Sequence, residues 1–153
     1  MNIDNILLYD IIMIKCAWSI KIILGGNIMP VLIVRGIPSA VESDRLNNLA
    51  YELASITGIC LTIDPEGVSV FFPSDLLQRG LGEELVCIVD GLFENPDRTN
   101  SVRQRLAEAI ARALRAFAQD CLPKCEKVEA ILNRFNQSCD GFAVFDPRKS
   151  GND

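Results

Sequence analysis

Two kinds of hydrophobic pattern alternate along this chain. Short continuous runs of aliphatic residues are followed by longer stretches in which apolar residues return every three or four positions. The first run, Pro30 to Val34 closed by Arg35-Gly36, predicts a buried strand over 30–36. Ser39-Ala40-Val41-Glu42 then has the spacing of a capping box, and Leu46, Leu49, Leu53 and Ile56 follow at helical intervals. This predicts a helix over about 40–57, with Gly58 suited to its left-handed C-terminal cap. Cys60 to Ile63 is a further apolar run, Asp64-Pro65-Glu66-Gly67 is a turn, and Val68 to Phe72 predicts a second strand that Pro73 ends. Residues 74–83, with Gly80 and Gly82, read as a loop.

The second half repeats the plan. Leu85 to Val89 is a buried strand and Glu94-Asn95-Pro96-Asp97 a turn. Val102, Leu106, Ile110, Leu114 and Phe117 mark a helix at about 99–119, which Pro123 stops. Val128 to Leu132 is again a strand, and Asp140-Gly141 signals a hairpin leading into a short strand at Phe142 to Phe145. Arg45-Leu46 precedes Val68 at the same interval as Arg105-Leu106 precedes Val128, so the halves can be laid on one another. The pattern therefore defines an α+β class: two tandem β-α-β units, a four-stranded mixed sheet, and two helices on one face. The other face is left to residues such as Val68, Val70, Phe72, Val86 and Ile88 or their alternates. A bare apolar sheet of that size predicts an oligomer.

Length and charge narrow the functional classes. A chain of 153 residues suits one domain, and a net charge of −5 argues against nucleic-acid or anionic-membrane partners. There is no histidine, which removes imidazole bases, His-based triads and His metal ligands. The six cysteines read as reduced thiols of a cytoplasmic protein. Cys121, Cys125 and Cys139 could supply three thiolates but match no usual zinc spacing and have no obvious fourth ligand, so a metal is not expected.

Residues 1–28 differ from the rest. They are Ile-rich, broken by Asp10, Lys15 and Lys21 into runs too short for a bilayer, and without the basic start of a signal peptide. We read them as a spurious or disordered extension before a domain at 29–146, with a polar tail at 147–153; the alternatives are a genuine extra strand or an interaction arm. If translation starts at Met29, removal of the initiator exposes Pro30 as an N-terminal secondary amine. An α-amino group ordinarily titrates at about 7.7–8.0. Desolvation or a nearby guanidinium lowers that, leaving a neutral base at physiological pH. Within a longer chain, Pro30 is simply a strand-opening proline that forfeits no ladder hydrogen bond.

The opening Met29-Pro30-x-Leu32-x-x-Arg35-Gly36, the doubled β-α-β pattern, and Arg98 before the helix carrying Leu106-Ala107 resemble the tautomerase superfamily. That superfamily includes 4-oxalocrotonate tautomerase, 5-carboxymethyl-2-hydroxymuconate isomerase and macrophage migration inhibitory factor. The likeness covers residues 29 to about 146 and is greatest to a bacterial group with the fold doubled in one chain and no assigned function. The segment from Leu132-Asn133 to Phe145 is similar to the end of the carboxymethyl-hydroxymuconate isomerases. The resemblance implies a homotrimer with interfacial sites, Pro30 as the base acting on a small enol or α-keto carboxylate, and no cofactor. It implies arginines that hold the carboxylate, for which Arg35 and Arg98 are the candidates, with Phe72 as a pocket wall. Solvated surface arginines and a core phenylalanine are the ordinary alternatives for these three. Ser69 stands where small tautomerases carry an arginine, the macrophage factor's lysine has no clear counterpart, and Arg134 is a possible substitute. Two other functions fit the same pattern: a non-catalytic binding or assembly protein, and a ferredoxin-like small-molecule-sensing module.

Overall fold

The computed structural model describes residues 30–74 and 80–136. Six principal elements follow in order: β1 (Val31–Arg35), α1 (Ser43–Leu61), β2 (Ser69–Phe71), β3 (Glu84–Asp90), α2 (Asn100–Cys121) and β4 (Lys127–Leu132). They form a four-stranded sheet in the order β2-β1-β3-β4. β1 and β2 are parallel, β3 and β4 are parallel, and the two halves join through the antiparallel β1–β3 pair, in which Ile33 faces Ile88. Both helices cover one face. The fold class is the α+β double β-α-β arrangement that the apolar pattern predicts. The expected strand at Phe142 to Phe145, with Cys16, Cys139 and residues 1–28, lies outside the described residues.

Strand alternation decides which side chains make the core. Leu32 and Val34 of β1 and Leu85, Cys87 and Val89 of β3 point at the helices and are fully buried. Leu49 and Leu53 of α1 and Leu106, Ile110 and Leu114 of α2 close over them. The doubling is exact enough to read residue by residue. Gly36 follows β1 as Gly91 follows β3, both with positive φ (90° and 71°). Aligning these glycines lays Leu32 on Cys87, Val34 on Val89, Ile37 on Leu92, and Pro30 on Leu85, all of them buried.

Three expectations are corrected. The Ser39–Glu42 capping box does not form. Val41 donates instead to the Pro38 carbonyl in a turn (3.1 Å), which delays the helix to Ser43, with Glu42 at its N-cap and no side-chain cap. Gly58 is not the C-cap: the helix runs on to Leu61 and ends at Thr62, whose φ of 55° is left-handed. Gly58 lacks a side chain because the Pro65–Gly67 turn packs against it, where a Cβ would stand 2.7 Å from the Pro65 ring. Val70 and Phe72, expected on the open face, pack instead against the core on the helix side. Their alternates Ser69 and Phe71 take the open side.

Cys87 sits at the centre of the core, and burial pushes its thiol up from 9.0 to about 12. A thiolate-selective reagent at pH 8 should therefore spare Cys87 in the native protein while reacting with half-buried Cys60, Cys121 and Cys125. Mass spectrometry of labelled peptides checks this; labelling of Cys87 at the rate of the other three would contradict the packing. The raised value also carries a sign. Between pH 9 and about 12 the native state holds the proton more tightly than the unfolded chain, so this contribution is complete below pH 9 and is lost as pH rises through that window.

Candidate active site

Strand direction decides which chemical groups can meet. β1 is antiparallel to β3, and β3 is parallel to β4, so the start of β1 lies at the same end of the sheet as the exits of β3 and β4. Pro30, Asp90, the loop into α2, and the segment after Leu132 therefore gather at one end. Pro30 is fully buried there, and its carbonyl accepts the Ser69 N–H at 3.0 Å. Ser69 thus stands beside Pro30 at the head of β2, with a hydroxyl side chain in place of a guanidinium. Asp90 accepts from the Asn133 side chain (2.6 Å), which ties the two strand exits together.

Arg98 is built into this end. Asn95 accepts the Asp97 N–H on its side chain (2.8 Å) and the Arg98 N–H on its carbonyl (2.9 Å), turning the chain back toward the sheet. The Arg98 guanidinium donates to the Phe93 carbonyl at 2.9 Å, and the residue as a whole is buried. Phe93 in turn packs edge-to-face on Phe135, with ring centroids 5.0 Å apart, and a bridge between these residues prolongs β3 and β4. Thr99 caps α2 by accepting the Val102 N–H.

Two further arginines converge on Arg98. Arg103, in the first turns of α2, donates from Nε to the Arg98 carbonyl (3.2 Å), and its Nη1 is buried with no hydrogen-bond partner. Arg134, just after β4, donates to the Asn100 side chain (2.7 Å). Together with Glu94 and Asn100 they line a cavity of about 480 Å3. Burial, and then repulsion from Arg103, lower the Arg98 pKa. Burial, and then Arg134, lower that of Arg103, against an opposing pull from Glu94. Guanidiniums remain charged at neutral pH regardless, so the cavity lining carries three positive charges against the one carboxylate of Glu94.

Arg98 is therefore brought to the end of Pro30, whereas Arg35 and Phe72 are not. Arg35 lies at the far end of β1, about 17 Å along the strand by its rise per residue, and is exposed. Phe72 follows β2 at that same far end and packs on the core. A second cavity, of about 420 Å3, lies between the start of α1 and the end of α2, bounded by Glu42, Arg45, Cys121 and Lys124. It contains none of the four candidates. Arg103 escaped the sequence reading altogether, because Arg98 precedes the helix and no helical interval relates the two.

The fold, two β-α-β units in one chain, is similar to that of several solved structures. Among solved structures, a fused 4-OT in an asymmetric trimer matches with a TM-score of 0.56 and 16% identity, over 80% of this chain and 99% of that one. A structure of a protein inactivated by 2-oxo-3-pentynoate matches at 0.56 and 16%, over 74% and 92%. A member of the cis-3-chloroacrylic acid dehalogenase family matches at 0.55 and 17%, over 76% and 83%. No protein-family model matches the chain, and no curated protein matches it in sequence. Among the described residues, no helix is long and apolar enough to cross a membrane.

Proposed function

We propose that this protein is a cofactor-independent tautomerase that moves a proton on a small enol or α-keto carboxylate. The carrying observation is that buried Pro30 shares its sheet end with the locked guanidinium of Arg98. In a chain beginning at Pro30, the secondary amine is the base and Arg98 holds the substrate carboxylate and steadies enolate charge. The same cations keep the amine neutral near physiological pH. Solved structures of the same fold are described as trimers, and we propose a trimer here, in the cytoplasm. Arg35 and Phe72 enter such a site only from a neighbouring chain. The repeat puts Leu85 where the first half has Pro30, so each chain carries a single candidate amine.

The test is activity of the chain beginning at Pro30 on phenylenolpyruvate or 2-hydroxymuconate. Pro30→Ala should lower kcat/KM by about 10²–10⁴-fold, and the rate should rise with pH to a plateau as the amine loses its proton. A Pro30→Ala chain as active as its parent would remove the mechanism. Ser69, where an arginine is expected, favours a second reading in which the fold binds a small carboxylate without turning it over. Binding without turnover by the chain beginning at Pro30 would select it.

A further inference from the structure

The arginine cavity has a charge and geometry that a single carboxylate does not satisfy. Three guanidiniums face one carboxylate, Glu94, across it. They come from three separate segments: Arg98 from the loop before α2, Arg103 from within α2, and Arg134 from beyond β4. The helix end beside them has no acidic residue in its first turn to offset the positive end of its dipole. Arg103 Nη1 is a charged donor, removed from water and given no acceptor, an arrangement that ordinarily costs more than burying a neutral group. Mutual repulsion adds to this, since Arg103 lowers the pKa of Arg98 and Arg134 lowers that of Arg103. All these terms improve when an anion with several oxygens enters.

We infer that the Arg98–Arg103–Arg134 cavity binds a doubly charged phosphoryl group, free or borne on a small ligand. Two negative charges balance three guanidiniums less one carboxylate. Three terminal oxygens set tetrahedrally serve donors approaching from three directions, whereas one planar carboxylate presents a single fork. A phosphate monoester has a second pKa of about 6 and is predominantly the dianion at neutral pH. Phosphate at a helix N-terminus also meets the positive end of the peptide dipoles. This binding shares Arg98 with the proposed carboxylate site but does not need the Pro30 amine, which does not line the cavity, so it can be tested apart from the proposed proton transfer.

The experiment is calorimetric titration of the full chain with inorganic phosphate, succinate and acetate, at pH 7.5 and matched ionic strength. Phosphate should bind saturably and at least about tenfold more tightly than either carboxylate, a difference of about 1.4 kcal/mol. It should also raise Tm, by an amount that grows with the logarithm of its concentration above Kd. Arg103→Met should weaken phosphate by about tenfold or more while leaving the ligand-free protein folded, since it gives up one hydrogen bond to the Arg98 carbonyl and removes a buried Nη1 donor that has no acceptor. Arg134→Gln, at an exposed position, gives a second variant that does not depend on that outcome and should weaken phosphate in the same direction. Pro30→Ala should bind phosphate as the parent does, which separates this site from the amine. The proposal is overturned if succinate binds as tightly as phosphate, if phosphate shifts Tm no more than acetate does, or if both arginine variants keep the parent affinity.

Discussion

Gly36→Ala should be among the most damaging single substitutions in this chain, lowering stability by more than about 3 kcal/mol, a loss that few point changes reach. Two independent costs add. The φ of 90° is a conformation that side-chain-bearing residues rarely adopt, and a Cβ there would stand within covalent-like range of the Glu84 carbonyl oxygen on the neighbouring strand. That oxygen belongs to backbone, so it cannot swing aside; the β1–β3 seam itself must open. Two other glycines separate the terms. Gly80 has a similar φ of 78° but nothing within 4 Å, so Gly80→Ala should cost only about 1–2 kcal/mol, the left-handed penalty alone. Gly67 has neither a positive φ nor a near neighbour, and Gly67→Ala should be neutral or stabilising by up to about 1 kcal/mol. For a chain of this size the Gly36 change corresponds to a fall in Tm of about 6–12 °C. Urea melts of the three variants give the order, and a Gly36→Ala protein as stable as Gly80→Ala would contradict the close approach.

Ile88→Asp should abolish assembly while leaving the subunit folded. Ile88 lies at the centre of the sheet face that no described element covers, beside Ile33, its partner across the antiparallel pair. Around them are Val31 and Val86, with Phe71 at 56% and Ile131 at 46% exposure toward the edges. Polar residues interrupt the face only at its margins, as in the Lys127–Glu129 ion pair (2.9 Å). In an isolated subunit, an aspartate at this half-buried position keeps access to water, so the helix-covered core is little disturbed. Between packed sheets it would be a desolvated charge without a partner, a loss of about 3–5 kcal/mol at each copy of the contact. Sedimentation should therefore show a single subunit with an unchanged circular dichroism spectrum. An Ile88→Asp protein that sediments as the parent does would show that the subunits associate elsewhere.

The contrast between these positions also shows what a sequence can disclose. Leu106, Ile110 and Leu114 announce their helix because one face of a long amphipathic segment is buried continuously. The start of α1 differs from the pattern because Ser39 and Glu42 satisfy a local rule that the Pro38–Val41 turn pre-empts. Gly58 has the look of a cap because its actual neighbour, Pro65, reaches it only once the chain has turned back. Sites suffer most from this. Arg98 could be picked out at a helix entry, and Arg134 could be weighed as a substitute. Their meeting with Arg103 depends on how the loop into α2 and the chain beyond β4 turn at the sheet end, which no spacing encodes. Strand polarity likewise separates Arg35 from Pro30 although they are near neighbours along the chain.

The wiring of the sheet also governs how it can be made. No pairing in the described sheet is a hairpin: β1–β2 and β3–β4 each await an intervening helix, and β1–β3 joins residues from opposite halves of the domain. Closing such distant contacts costs loop entropy before any reward arrives, which places folding on the millisecond-to-second side of the range for small domains. On the ribosome, Leu32 and Val34 emerge well before the Glu84–Asp90 strand that will cover their edge. A nascent chain therefore carries an apolar strand with this edge unpaired while about fifty further residues are added, and it is during this interval that the protein is most exposed to aggregation and most in need of a chaperone.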